Sequence, residues 1–491
     1  MLEIFIDLIA GAAKGLITSI LNSFRLNANE ERLSENLLDN NEVEIPHGFT
    51  ENDSIYVQYV PGKSRPHISI ELKQAFFCSL GILASGLLIG LILSVLLFID
   101  INTGHVCQEF KWDSLPQQIQ RLKLTVQVVE GFLILMLHFV VMVSMFGVHY
   151  MTSLNLTMWN IIFGFGDTIY RLFLQVYGEY GAWWRNYPSY CFSFICIYNS
   201  FILGRNLSES TKHQIWLTIQ YCMQILLGLL LVNFNHYVIF PWYLSLSGVN
   251  QTLLAILCPI TGEFFKTICR IVIQEVKPIS HVGKSYRLML CLLIGATLLY
   301  RTLQAKIETF TSFAFLSFAH GVTGVLERIT VIVRDYVVVF FYQKCLKRER
   351  PFQMFENTRK QKRLRFIADV IICGLLNEIS MLFYTNAFIQ LLKVKDIACF
   401  KGPFISFLTR SLFGLVIELL FMILNVLIIL TRYLNVAVIR LWKTYWKKYT
   451  LVNLLVSSIL TVYMTQYLIE VVDINITTDN SGKNSSCTLL F

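Results

Sequence analysis

The chain has 491 residues, 55% of them hydrophobic and only 15% charged, and its mean hydropathy is +0.57. Soluble domains carry about 25% charged residues, so this composition excludes an ordinary soluble domain. It describes an all-α, polytopic membrane protein with its charges mostly in loops. The net charge of +9 is uneven: residues 1–74 hold six basic and eleven acidic side chains, and the remainder holds 35 and 21. The basic excess points to loop orientation and contact with anionic lipid at the cytosolic face, not to nucleic acid, because no aromatic-basic pattern accompanies it. The twelve Cys show neither CxxC nor a Cys/His ligand spacing, so no metal site, cofactor or disulfide scaffold is expected.

Residues 1–27 place Glu3, Asp7, Lys14, Thr18 and Arg25 on one helical face and Phe5, Ile9, Leu16, Ile20 and Phe24 on the rest. This is the pattern of an amphipathic helix lying in the membrane interface. Residues 28–74 are acidic and broken by Pro46, Pro61 and Pro66, which reads as a disordered cytosolic tail. The membrane domain is expected over 75–472. Apolar runs fall near 75–99, 124–148, 154–177, 189–204, 214–233, 237–258, 285–303, 311–342, 366–392, 404–430 and 450–472. A spanning helix needs about 20 apolar residues. The count is therefore about eleven spans (9–11), with 189–204 and 237–258 the candidates for re-entrant segments. Gly86 and Gly90, spaced as GxxxG in the first run, fit close helix packing.

The loops orient these spans. Residues 343–365 hold nine Lys/Arg and belong in the cytosol by the positive-inside rule. Threading from there puts 259–284, with Lys266, Arg270, Lys277 and Lys284, and 431–449, with five basic residues, on the same side. The N-terminus is then cytosolic and the 473–491 tail is lumenal or extracellular. The tail carries glycosylation sequons at Asn475 and Asn484, which are usable only on that side. Cys107, Cys399 and Cys487 fall in the same disulfide-permissive compartment. The 431–449 loop, with Trp442, Tyr445 and Trp446, reads as an interfacial helix.

Several spans hold ionisable side chains. In 311–342, His320, Gly324, Glu327, Arg328, Arg334 and Asp335 share a wedge of about 120° on a helix of period 3.6, and Val322, Leu326, Ile329 and Val333 lie opposite. Glu130 and His138 share a wedge of the second run, together with Gln127. Asp167 and Arg171 stand one turn apart in the third, where opposite charges pair. Glu378 lies mid-span in the ninth run, and Ser411, Glu418 and Asn425 repeat every seven residues in the tenth. A charge at the bilayer centre costs about 2.5–3.5 kcal/mol on the lenient scale, so each must be paired, hydrated or neutralised. Asp167–Arg171 and Glu327–Arg328 read equally as structural pairs. Arg334 and Asp335, near the cytosolic end, read as snorkelling residues. Glu130, His138, Glu378 and Glu418 have no partner on their own helices. Together with Glu327, they are expected to line one polar interior with His320 at its edge.

The leading expectation is a transporter or channel for a small polar solute, an ion or protons, with helix breaks at Phe163–Gly166, Cys258–Gly262 or Ala319–Gly324. No G-x-x-x-x-G-K-[ST] cradle is present, so catalysis of ATP hydrolysis is not expected. A receptor or scaffold acting through the basic loops is the second expectation. The stretch SFAHGVTG, around His320 and Gly321, is similar to the histidine-glycine neighbourhood of membrane-bound O-acyltransferases. That resemblance implies a third function, lipid acylation. The membrane itself, plasma or internal, is left open. Glycosylation tests the orientation: Asn475→Gln with Asn484→Gln should remove the whole glycan-dependent mass shift in cells, and a residual shift would contradict a lumenal C-terminus.

Overall fold

The computed structural model describes residues 68–104, 115–177, 187–274, 282–307, 309–345, 357–393, 401–431 and 435–473. Every regular element among them is helical. In chain order these are α1 (Ile68–Thr103), α2 (Gln117–Phe146), α3 (Val148–Ser153), α4 (Leu156–Tyr177), α5 (Tyr187–Leu207), α6 (Thr211–Phe234), α7 (Phe240–Ser245), α8 (Gly248–Gln274), α9 (Leu290–Lys306), α10 (Phe310–Cys345), α11 (Asn357–Lys393), α12 (Lys401–Thr431) and α13 (Asn435–Asp473). A π-helical turn, Asn235–Ile239, joins α6 to α7, and a 3-10 segment, Val282–Met289, leads into α9. Among the described residues, seven helical stretches are long and apolar enough to cross a bilayer: Leu72–Thr103, Gln117–Phe146, Thr211–Ser245, Gly248–Gln274, Gly283–Lys306, Arg365–Gln390 and Lys401–Leu427.

Nine of the eleven apolar runs each fall on one helical stretch to within two residues; the run at 124–148 crosses Gly147, and the run at 237–258 is broken. The chain continues as helix through the π-turn to Ser245, breaks at Leu246–Ser247, and restarts at Gly248. Gly248 has φ +56°, a left-handed conformation that an L side chain rarely adopts. The π-turn has a local cause. Pro241 lacks an N–H and its ring crowds the preceding turn, so the Phe240 N–H reaches back five residues to the Asn235 carbonyl. A second sharp break separates α2 from α3 at Gly147, whose φ of 87° and ψ of 157° suit glycine alone.

Several boundaries differ from those read in the sequence. Helix α1 begins at Ile68, so 68–74 are helical and not part of a tail. Residues 259–274, expected as loop, are the second half of α8. The 431–449 segment is not a separate surface helix, because α13 runs unbroken from Asn435 through it. The glycine-containing segments at 163–166, 258–262 and 319–324 are not breaks; each lies inside a continuous helix. The expected features at 1–27 and most of 28–74, together with Cys107, Cys399, Cys487, Asn475 and Asn484, lie outside the described residues.

Helix α11 is the hub and packs against α1, α9, α12 and α13. The approach of α1 depends on Gly86 and Gly90. A Cβ at Gly86 would stand 2.8 Å from Ile379, and one at Gly90 would stand 3.1 Å from the Ser380 carbonyl. Trp442 of α13 sits against Gly81 in the same way and is buried. Outward faces are apolar. On α8, Val249, Leu253, Leu257, Ile260 and Phe264 recur at helical spacing, and all are more than half exposed. Such a stripe suits lipid contact, not water.

Helix α10 packs closely on α12 at Gly321, where an added Cβ would clash with the Phe421 ring. Gly321→Ala should therefore overpack this contact and destabilise the fold by about 1–3 kcal/mol. A lower thermal midpoint for the purified variant in detergent checks this, and an unchanged midpoint would count against the packing described.

Candidate functional site

The charged wedge of α10 faces the protein and its apolar side faces out, since Val322, Leu326 and Val333 are exposed. What the wedge meets is charge from two other helices, α8 and α11. Lys266 of α8 contacts both Glu263, one turn earlier, and Glu327 of α10, the latter at 3.7 Å. Arg334 of α10 reaches back to Glu263 at 2.6 Å and donates to the Glu327 backbone carbonyl at 2.8 Å. Arg328 forks onto both carboxylate oxygens of Glu378 of α11, at 2.8 and 3.0 Å. Arg270 of α8 donates two hydrogen bonds to Asp335, at 2.9 and 2.6 Å. On the far side, Arg301 of α9 pairs with Glu418 of α12 and donates to Gln304 at 2.8 Å, which in turn donates to Ser317.

Five cations (Lys266, Arg270, Arg301, Arg328 and Arg334) thus meet five carboxylates (Glu263, Glu327, Asp335, Glu378 and Glu418). Equal and opposite charge at contact distance is what makes such burial tolerable. His320 stacks face-on against Tyr300 of α9, with centroids 4.4 Å apart. Both of its ring nitrogens are buried without a hydrogen-bond partner among the described residues.

Two cavities of about 40 Å³ each lie within this cluster. The first is bounded by Asn235 of the π-turn, Cys258 to Glu263 of α8, Tyr300 of α9 and His320 to Gly324 of α10. The second is bounded by Arg270, Leu293, Val331, Ile367 and Ile371. Lys266, Thr297, Glu327 and Glu378 line both. Along α8 and α10 the first cavity involves the earlier turns and the second the later ones, and along the antiparallel α9 the order reverses. The cavities are therefore stacked along the bundle axis and meet at one ionisable layer. Two backbone irregularities border the first cavity: the π-turn, and Pro259, which cannot donate to the carbonyl four residues back.

The chain matches no protein-family model, no curated protein and no solved structure. The site therefore stands on its own geometry.

That geometry redistributes the residues read from the sequence. Glu327, Glu378 and His320 line the first cavity. Glu418 is one helix removed, held by Arg301. Glu378 and Glu418 do have partners, both from other helices. Arg328 pairs with Glu378 and not with its neighbour Glu327. Asp335 is buried in a pair and does not snorkel. Glu130, His138 and Asp167 line neither cavity. His138 is fully buried near Ser200 of α5, at 3.4 Å, beside a reciprocal amide pair between Asn160 and Asn199. Arg171 has no described side chain. The residues missed were Glu263, Lys266, Arg270 and Arg301. The first three had a legible signal: their spacings of three and four put them on one face of a helix, opposite the apolar stripe. Among the described residues no group of His, Cys, Asp and Glu is placed to hold a metal.

The pairing decides what neutralising Glu418 does to stability. An isolated Glu418 would be neutralised without loss of stability, whereas a Glu418 that balances a buried Arg301 would not. Glu418→Gln should cost about 3–5 kcal/mol by leaving the guanidinium without its counter-charge. The double change Arg301→Met with Glu418→Leu should recover most of that loss. Thermal unfolding of the wild type and the two variants checks this, and a stable single mutant would show the pair to be energetically idle.

Proposed function

We propose that this chain is a multi-pass integral membrane protein that moves a small polar solute, an ion or protons through the interior between α8, α9, α10 and α11. The observation that carries the reading is the pair of stacked cavities meeting at the Lys266–Thr297–Glu327–Glu378 layer. Ionisable groups inside a membrane helix bundle face a partner or a water-filled path, and the members of this layer have partners and border two cavities. Irregular backbone at membrane depth is tolerated where it borders a cavity, which agrees with the π-turn and Pro259 beside the first one. About eleven crossings, a cytosolic N-terminus and a lumenal or extracellular C-terminus belong to the same proposal, as does contact of the basic segments with anionic lipid. It takes no cofactor.

Thr297 makes the reading testable, because it lines both cavities and carries no charge. In proteoliposomes the wild-type chain should pass at least one small ion or solute above the level of empty vesicles. Thr297→Phe should reduce that flux at least tenfold by filling the passage, and Thr297→Ser should preserve it. Flux that ignores Thr297→Phe would place the path elsewhere. An acyltransferase would instead show no flux and would lose acylated product in His320→Ala.

A further inference from the structure

We infer that the species carried along this path is the proton, and that Glu327 is the group that takes it up and releases it. The inference rests on the pathway reading above and narrows it to a substrate. The first argument is size. A water needs roughly 10–15 Å³ of such space, so each cavity of about 40 Å³ holds on the order of three waters. That is room for a short hydrogen-bonded file, and not for a metabolite with its own hydration.

The second argument is how unequally the layer holds its members. Both carboxylate oxygens of Glu378 accept from one Arg328 nitrogen, Nη2, at 2.8 and 3.0 Å. Glu263 is held from two sides, by Lys266 and by Arg334. Lys266 lies closer to Glu263 than to Glu327, so Glu263 takes the larger share of its charge. Glu327 is left with one cation at 3.7 Å, while Arg334 spends its second bond on the Glu327 backbone and not on its carboxylate. A carboxylate with the weakest counter-charge, beside two others, is the one that gains most from binding a proton. The remaining ionisable groups around it are Tyr300 of α9 and His320 of its own helix. Tyr300 is occupied by its hydroxyl bond to the Leu316 carbonyl at 3.4 Å. His320, with both ring nitrogens unpartnered among the described residues and on the wall of the first cavity, offers water a second contact at the entrance to the layer.

The step balances without any co-reactant. A hydronium in one cavity gives its proton to a Glu327 carboxylate oxygen: one O–H bond breaks, one forms, and a water remains. Passing that proton to a water in the other cavity reverses both bonds and restores the carboxylate. Glu327 contacts both cavities, so no large movement of the side chain is required.

The experiment uses the full chain in liposomes containing a pH-sensitive dye, with potassium and valinomycin setting the potential. Wild-type vesicles should acidify on an inward proton gradient. Glu327→Gln should slow acidification at least tenfold while eluting and melting like wild type. Glu327→Asp, which keeps the acid on a shorter stem, should conduct with an altered pH dependence. Wild-type proton flux in Glu327→Gln overturns the inference. If that variant does not fold, an unaltered pH dependence in Glu327→Asp overturns it instead. Parallel vesicles report sodium, potassium, chloride and urea. Passage of one of these without protons sinks the proton inference and leaves the pathway. Passage of nothing by the wild-type chain sinks both.

Discussion

A charge in an apolar interior must be matched at contact distance, and the arrangement of the described helices around α10 follows from that constraint. The cost of an unmatched ion in low dielectric is several kcal/mol even after relaxation, comparable with a large part of a protein's net stability. Helix α10 carries Glu327, Arg328, Arg334 and Asp335 within three turns and cannot satisfy them from its own surface. It needs Lys266, Glu263 and Arg270 from α8 and Glu378 from α11. Each pair fixes a helix in depth and rotation relative to α10, since a shift of one residue turns a side chain by about 100°.

Away from that layer, helix association relies on close approach and on scattered polar contacts. Apolar side chains gain nothing from one another that lipid would not also supply. Accordingly α1 reaches α11 through Gly86 and Gly90. Helices α11 and α13 are joined along their length by the Tyr449 hydroxyl donating to Asp369, by Asn453 on Cys373 at 3.4 Å, and by Tyr384 with Thr465 at 3.2 Å. These contacts hold α11, the hub, rigidly behind Glu378. A fixed Glu378 keeps Arg328 occupied, and that leaves Glu327 as the loosely held member of the layer. The scaffold and the site are linked through a single fork.

The cavities arise where this packing cannot close. Pro259 and the Pro241-induced π-turn bring irregular backbone to one side of the bundle, and small side chains at Gly262, Ala296 and Gly324 leave space between the helices. Charged side chains also resist collapse, because moving one to fill a gap would cost its partner a hydrogen bond. Space and charge therefore coincide, and the polar cavities are a property of the packing and not of any single motif.

The sequence by itself determined the helical class, the position of nine of the eleven apolar runs, and the inward turn of the α10 wedge. All three depend on local composition and on the 3.6-residue period, which a single segment carries in full. It also marked Glu327, Glu378 and Glu418 as residues in need of an explanation. It did not reveal their partners, because a pair such as Arg301–Glu418 joins residues 117 positions apart and leaves no trace in either segment alone. It misread Lys266 and Arg270 as loop charges, since a basic residue paired inside the bundle looks, in sequence, like one facing the cytosol. Only the tertiary structure decided which carboxylates are held and which is left loosely bound, because that depends on distances between helices that no periodicity encodes.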